Sequence, residues 1–449
     1  MLNLPYLALF LAWPLAGCPE CAPAPAGTPA PPAAKAQCDA ARNPYCDELR
    51  RIAARPDVRR AFEFIVETDS ITIRDLITLT EIPAPPFKEE VRARKYAEML
   101  REAGADTVYI DEEGNVIALR RGTTGDRTVA LAGHLDTVFP EGTDVTVRQR
   151  GDTLFAPGIG DDTRGLMVVL TVLRAMNAAN LRTRADLLFI GTVGEEGLGD
   201  LRGVKYLFRQ GGPRIDAFIA VDGGEDDAIT HQALGSRRYR VAFKGPGGHS
   251  WGAFGTANPI HALGRAIRLF DEEAARFTAT GPRTSYNVGR IGGGTSVNSI
   301  PFESWMEVDM RSESPTALAA IDSIFRHAMD RALAEQNTMH RHGPPLEMEV
   351  ELIGDRPSGE TPTDAPLLRR AMAAVLLNGN EPRLGRSSTD ANIPIALGIP
   401  AITIGRGGIG GEGHAPGEWW INRDGPRAIQ QALLILLAEA GLPGASSSE

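Results

Sequence analysis

Four short apolar runs, residues 128–132, 185–192, 217–221 and 401–404, constrain this chain more than any other feature. The first stops at Gly133 and releases His134 and Asp136, and the second runs into Val193, Gly194, Glu195 and Glu196. The third ends at Asp222 before Gly223 and Gly224, and the fourth enters a glycine-rich loop that carries Glu412, His414 and Glu418. A short apolar run closed by glycine reads as a buried strand. In open α/β sheets the ligand crevice lies outside the carboxyl ends of the strands, so polar residues just past such runs stand where chemistry is done.

The stretch from Leu131 to Gly165 adds Asp161 and Asp162, followed by Thr163 and a helical pattern over 166–176 whose only charge is Arg174. Alone, that pair reads equally well as a helix cap beside an isolated histidine. Four strand ends that each deliver His, Asp or Glu change the balance. Buried carboxylates brought together repel and shift their pKa values upward unless a cation compensates them. His134, His414, Asp161, Glu196 and Asp222 supply N and O ligands without thiolate, which suits zinc, with cobalt or manganese as substitutes. Five ligands exceed what one tetrahedral ion takes, so two ions bridged by a carboxylate fit better.

The chain has 449 residues, room for two or three domains, and a net charge of −10, which argues against a nucleic-acid partner. Residues 4–16 are almost wholly apolar and end in Leu15, Ala16, Gly17 and Cys18. This resembles a bacterial lipoprotein signal and implies export, with the protein periplasmic or held to the membrane by a lipid anchor at Cys18. No Lys or Arg precedes the run, which keeps a simple secretory signal and a cytoplasmic enzyme as alternatives. Residues 19–36 are mostly Pro and Ala, the composition of an extended tether. All four cysteines, Cys18, Cys21, Cys38 and Cys46, lie upstream of the expected folded body, where Cys38 and Cys46 are placed to pair in an oxidising compartment.

Helical patterns over 47–68, interrupted at Pro56, and over 88–103 alternate with strand patterns at 109–110, 115–119 and 128–132, which points to an α/β layer fold. Between 234 and 349 the character changes: strand 238–244, helix 259–270, strands 286–291 and 304–310, helix 317–333 and strand 346–352. That order suggests a ferredoxin-like (α+β) insert. The expected organisation is a signal at 1–18, a tether at 19–46, a catalytic domain split between 47–233 and 350–442, and the insert at 234–349.

HLDTV, GIGDDTRG, GEEG, the Asp222 strand end, GGHS and the late His414 together resemble the di-zinc metallopeptidases that include peptidase T, glutamate carboxypeptidase, aminoacylase and succinyl-diaminopimelate desuccinylase. The resemblance covers roughly residues 69–442. It implies a zinc-peptidase catalytic domain with a mixed, mostly parallel sheet, and an insert that serves as lid and dimerisation domain. It implies two zinc ions per subunit, one on His134, Asp161 and Asp222, the other on Glu196 and His414, with Asp161 bridging and Asp136 orienting His134. Glu195 would be the general base for attack of a metal-bridged water on the amide bond of a small peptide. His249 in the insert would complete the site from the partner of a homodimer, and Asn298 and Arg311 would contact substrate. Deacylation of N-acyl amino acids uses the same motifs, and a non-catalytic binding protein of the same fold is the reading from another class. Thr163 stands where many members have Lys, which leaves the subfamily open. Arg386 to Asn392, within GRSSTDAN, resembles a substrate-side loop. His231, His261, His327, His340 and His342 fit no motif and read as structural or solvated.

Overall fold

The four apolar runs form neighbouring strands. In a computed structural model, which describes residues 38–443, Asp186–Thr192, Thr128–His134, Ala217–Val221 and Ala401–Ile404 lie side by side in that order within a nine-stranded sheet. They pair in parallel, with His134 level with Thr192, Ala132 with Ala220 and Val221 with Ile404. All four carboxyl ends therefore reach one edge. These strands are buried on both faces, so their sequences run apolar without alternating. The sheet is mixed: outside this parallel centre, Val116–Arg120 and Thr107–Ile110 on one side and Ala228–Ala233 and Gly359–Glu360 on the other pair antiparallel.

Beneath the sheet, helix Gly165–Ala178 is buried almost all round and shares a core with Pro366–Leu377 and Gly425–Ala440. An all-apolar helix can sit only there. The helical pattern over 47–68 is two helices, Cys46–Ala54 and Pro56–Glu67. Pro56 drives Arg55 out of the helical region, to φ −63 and ψ 138, and itself takes the first position of the second helix. Cys38 and Cys46 form a disulfide, and both are buried in the main core. Closing that loop removes about 2–3 kcal/mol of chain entropy from the unfolded state. The signal, Cys18 and the expected tether up to residue 37 lie outside the described residues, whereas residues 38–46, expected as the end of that tether, belong to the folded body because their disulfide is buried in its core.

The expected insert is a four-stranded antiparallel sheet in the order Thr284–Gly293, Glu303–Ser312, Gly235–Lys244, Glu347–Arg356. Helices Pro259–Thr278 and Pro315–Met339 pack on it, giving the β-α-β-β-α-β order and strand arrangement of a ferredoxin-like unit. It has a core of its own, with Phe243, Phe270, Met306 and Phe325 at its centre. Its last strand pairs through Arg356, opposite Ser236, so the chain leaves the insert at Pro357, beyond the expected boundary at 349. A register shift between Leu352 and Gly354 breaks the alternation there and hides the end of the strand from a sequence reading.

A candidate two-metal centre at the carboxyl edge of the sheet

His134 is the last residue of its strand, and its Nε2 lies 3.1 Å from Asp161 Oδ1. On its other side Nδ1 lies 3.1 Å from the main-chain oxygen of Asp136 and 3.6 Å from the Asp136 carboxylate. The imidazole is thus oriented by the carbonyl of Asp136 more than by its side chain. That carboxylate is occupied elsewhere: it accepts the main-chain N–H of Glu195 at 3.0 Å and of Glu196 at 2.8 Å. One buried aspartate therefore holds the loop that presents both glutamates.

Asp161 stands in the turn Ile159–Arg164, entered through Gly158 at φ 77, a left-handed conformation that favours glycine. Glu418 fixes this turn by accepting N–H bonds from Gly158, Gly160 and Asp161 at 2.7, 2.9 and 2.9 Å. Asp161 Oδ2 lies 3.2 Å from His414 Nε2, which is also 3.0 Å from Glu196 Oε1. The two oxygens of one carboxylate thus face two different histidines. Asp162 accepts the N–H groups of His134 and Gly165, each at 3.1 Å, so it ties the strand end to the first residue of the following helix.

Ligand atoms of His134, Asp161 and Asp222 all lie within 4.8 Å of one another, and the same holds for Asp161, Glu196 and His414. A third group within that distance joins His134, Glu195 and Glu196. Burial, reinforced by Asp161, pushes Asp222 up to about 6. Burial likewise holds Glu195 well above the usual carboxylate range, although Arg356 opposes it. Asp161 and Glu196 raise His414 to about 10. Burial works against a charged His134, but Asp136 and Asp161 outweigh it and hold the imidazole well above its ordinary value. Arg406 is a partly buried cation facing Asp161, Asp162, Asp222 and Glu418, 3.7 Å from Asp222. One guanidinium does not neutralise that set. Burial raises Asp162, Glu195 and Asp222, while His134 and His414 hold Asp161 below its usual range in spite of burial, and carboxylates so crowded around histidines drawn toward protonation suit divalent cations.

His249 and Asn298 meet in the insert, where His249 pairs with Ser299 and the N–H of Ser250 donates to the Asn298 carbonyl at 2.9 Å. His249 is exposed, and its Nδ1 accepts from the N–H groups of Trp251 and Gly252 at 3.2 and 3.4 Å, which leaves the ring proton on Nε2. Arg311 donates to Asp309 at 2.8 Å, a pair that is partly exposed. None of these three bonds to the ligand cluster among the described residues. Of the histidines outside the motifs, His231 and His342 bond main-chain carbonyls at 2.9 and 3.1 Å, and His261 and His327 are exposed. The sequence reading passed over Arg356, which donates to Glu195 Oε1 at 3.1 Å, whereas Asp390, within the GRSSTDAN segment, is buried against Thr192 and pushed up to about 6 by burial.

Two N/O ligand sets that share one carboxylate, with a further glutamate beside them, define the class of hydrolases that work with paired divalent metals. The chain belongs to peptidase family M20/M25/M40, whose model matches residues 130–437. It is similar to succinyl-diaminopimelate desuccinylase of Corynebacterium glutamicum, 26% identical over 237 residues, which cover 52% of this chain and 64% of that one. A Pyrococcus abyssi protein assigned as a LysW-lysine/LysW-ornithine hydrolase is 26% identical over 346 residues, 75% of this chain and 84% of that one. Among solved structures, aminopeptidase PepT of Bacillus cereus superposes with a TM-score of 0.65 at 20% identity, over 82% of this chain and 98% of that one. A dinuclear metal-binding M20 peptidase of Bacillus subtilis gives 0.60 at 18% identity, over 84% and 99%. The superpositions establish the fold, and the family makes the protein a metal-dependent amide hydrolase.

Proposed function

We propose that the protein is a co-catalytic zinc hydrolase that cleaves the amide bond of small peptides, with Glu195 as general base. The observation that carries this reading is Asp161, whose two carboxylate oxygens face His134 at 3.1 Å and His414 at 3.2 Å. His134, Asp161 and Asp222 would hold one ion and Asp161, Glu196 and His414 the other, a nitrogen and oxygen set that suits zinc and also takes cobalt or manganese. When bound, such ions polarise a carbonyl and make water acidic near neutral pH.

Glu195 belongs to neither of those two sets, yet its carboxylate lies within 4.8 Å of His134 and Glu196. In this reading it takes the proton of the attacking water and hands it to the leaving amine. Asp136 holds the N–H groups of both glutamates, so neighbouring carboxylates serve different tasks. His249 Nε2 is a free donor for the negative charge that develops on the carbonyl oxygen, supplied across a homodimer from the partner's lid. Two features support that dimer: strand Thr284–Gly293 is an edge of the lid sheet, and Trp251, Phe254, Ile291 and Phe302 are exposed on the lid. Asn298, beside His249, and Arg311 are the substrate contacts in this reading.

The reading is tested with zinc-loaded protein against dipeptides, tripeptides and N-acyl amino acids, the last including N-succinyl substrates because a desuccinylase is among the relatives. Turnover confined to N-acyl amino acids moves the function to deacylation. No turnover of any of them by a preparation holding its metal moves it to a binding protein. His249→Ala should lower turnover by about 10²–10³ with zinc content unchanged. Mixed with Glu195→Gln, it should regain part of the activity, since one hybrid site then holds both native residues. Full activity of His249→Ala rejects the donor role, and heterodimers without recovery reject donation across the dimer.

The Cys38–Cys46 disulfide supports export, because such bonds persist in oxidising compartments. Mass spectrometry of the native protein should find a lipid-modified Cys18 as first residue and two hydrogens fewer than the reduced chain. A native chain starting at Met1 or beyond Cys18 refutes the anchor.

A further inference from the structure

The chain passes between main body and lid at Leu234 and again at Pro357, and the two crossings are fastened together. Asn392, fully buried, donates from Nδ2 to the carbonyl of Leu234 at 2.9 Å and to that of Pro357 at 3.0 Å. Its Oδ1 accepts the N–H of Thr389 at 3.0 Å, and Leu234 N–H donates to Ser387 at 2.9 Å. The crossings press close enough that a Cβ on Gly235 would meet Ser358 N at 2.7 Å. One side chain of the main body thus clips both strands about which the lid must turn.

Arg356 is the residue before Pro357 and the last of the lid sheet. Its side chain is 5% exposed and reaches back into the main body. Nη1 donates to Glu195 Oε1 at 3.1 Å and to Ser388 Oγ at 3.0 Å, and Nη2 donates to the main-chain oxygen of Glu195. Nε is buried without a partner, 4.0 Å from Asp200 Oδ1. A buried guanidinium with an unmet N–H is a poor source of stability. What it does supply is a rigid two-point grip on the carboxylate and the carbonyl of a single residue.

We propose that Arg356 is a positioning residue for Glu195, and that through it the seating of the lid on the main body sets the aim of the base. The inference rests on the reading of Glu195 as general base. Any rotation at Pro357 displaces the residue next to it, and the two-point grip carries that displacement to Glu195. The base is then aligned only when the lid is seated, so closure over substrate and readiness for proton transfer become one event.

The test uses the full-length zinc-loaded protein and two variants, Arg356→Met and Asn392→Ala. Arg356→Met should raise amide hydrogen exchange severalfold in the segment 192–199 while zinc content stays at the wild-type level. On whichever peptide or N-acyl amino acid the wild type turns over, kcat should fall about ten- to a hundredfold with KM nearly constant, as for a misplaced catalytic group. Arg356→Lys, which keeps the charge but cannot grip both oxygens in that geometry, should recover part of kcat, and it takes the place of the Met variant if that does not fold. Asn392→Ala should raise exchange at 192–199 although Arg356 is intact. Unchanged exchange there in the Arg356 variants, or zinc lost in step with activity, overturns the positioning role. Unchanged exchange there in Asn392→Ala overturns the link to the hinge. A wild type that turns over nothing refutes the general-base reading instead, and the exchange results still decide whether Arg356 positions the loop.

Discussion

Glu195→Gln is expected to bind metal as the wild type does and to hydrolyse its substrate about 10²–10⁴ times more slowly, the range assigned to a general base. The amide keeps the shape of the carboxylate and an oxygen that Arg356 Nη1 can still engage, so the loop held by Asp136 should stay in place. What disappears is the ability to accept a proton. Glu195 differs from Glu196 in that it stands outside both ligand sets that share Asp161, which is why one substitution should cost turnover and spare metal. Steady-state kinetics with elemental analysis on the same sample decides the matter. Normal zinc with normal turnover moves the base to another residue, and loss of zinc makes Glu195 a ligand.

Asp161→Asn should be more severe. An amide offers one oxygen where the bridge needs two, so at least one ion is expected to be lost and activity to fall by on the order of 10³ or more, as when one member of a unit that acts together is removed. The protons of the metal-free centre shape the same experiment. His414 keeps its proton up to about 10, and Asp222 keeps one up to about 6. A metal ligand must be free of that proton, so wild-type affinity for zinc should rise with pH, with a further gain as Asp222 ionises. In the metal-free fold the His414 pairing with Asp161 and Glu196 is fully present below its unfolded value near 6.5 and is lost as pH rises through about 10. Asp222 runs the same way in a lower window: its raised value makes the metal-free fold less stable as pH rises from its unfolded value toward about 6. Zinc titrations at several pH values measure this, and an affinity that does not change with pH contradicts it.

The centre was legible because of how parallel sheets are built. Central strands buried on both faces must be apolar throughout, so their ends stand out, and the residues just past them share one edge. His134, Glu196, Asp222 and His414 were found in that way, and Asp161 by its doublet in GIGDDTRG. The insert was legible through period-2 alternation until Gly354 interrupted it, and the interruption hid Arg356. A lone arginine before a proline carries no local sign that its partner lies 161 residues earlier. The work of Glu418 on the Asp161 turn and of Asp136 on two N–H groups is backbone recognition, which leaves no spacing rule in a sequence. Asn392 lies in GRSSTDAN, the segment that resembles a substrate-side loop, and nothing in that resemblance tells that its own amide is bonded to the two chain crossings.

The most direct test of the account is the metal content of the purified protein, measured by elemental analysis after titration with zinc to saturation. Two equivalents per subunit, falling to one or none in Asp161→Asn, is the result expected if Asp161 joins two ligand sets. A single equivalent at saturation contradicts the bridged centre, and full hydrolytic activity without metal contradicts the whole reading.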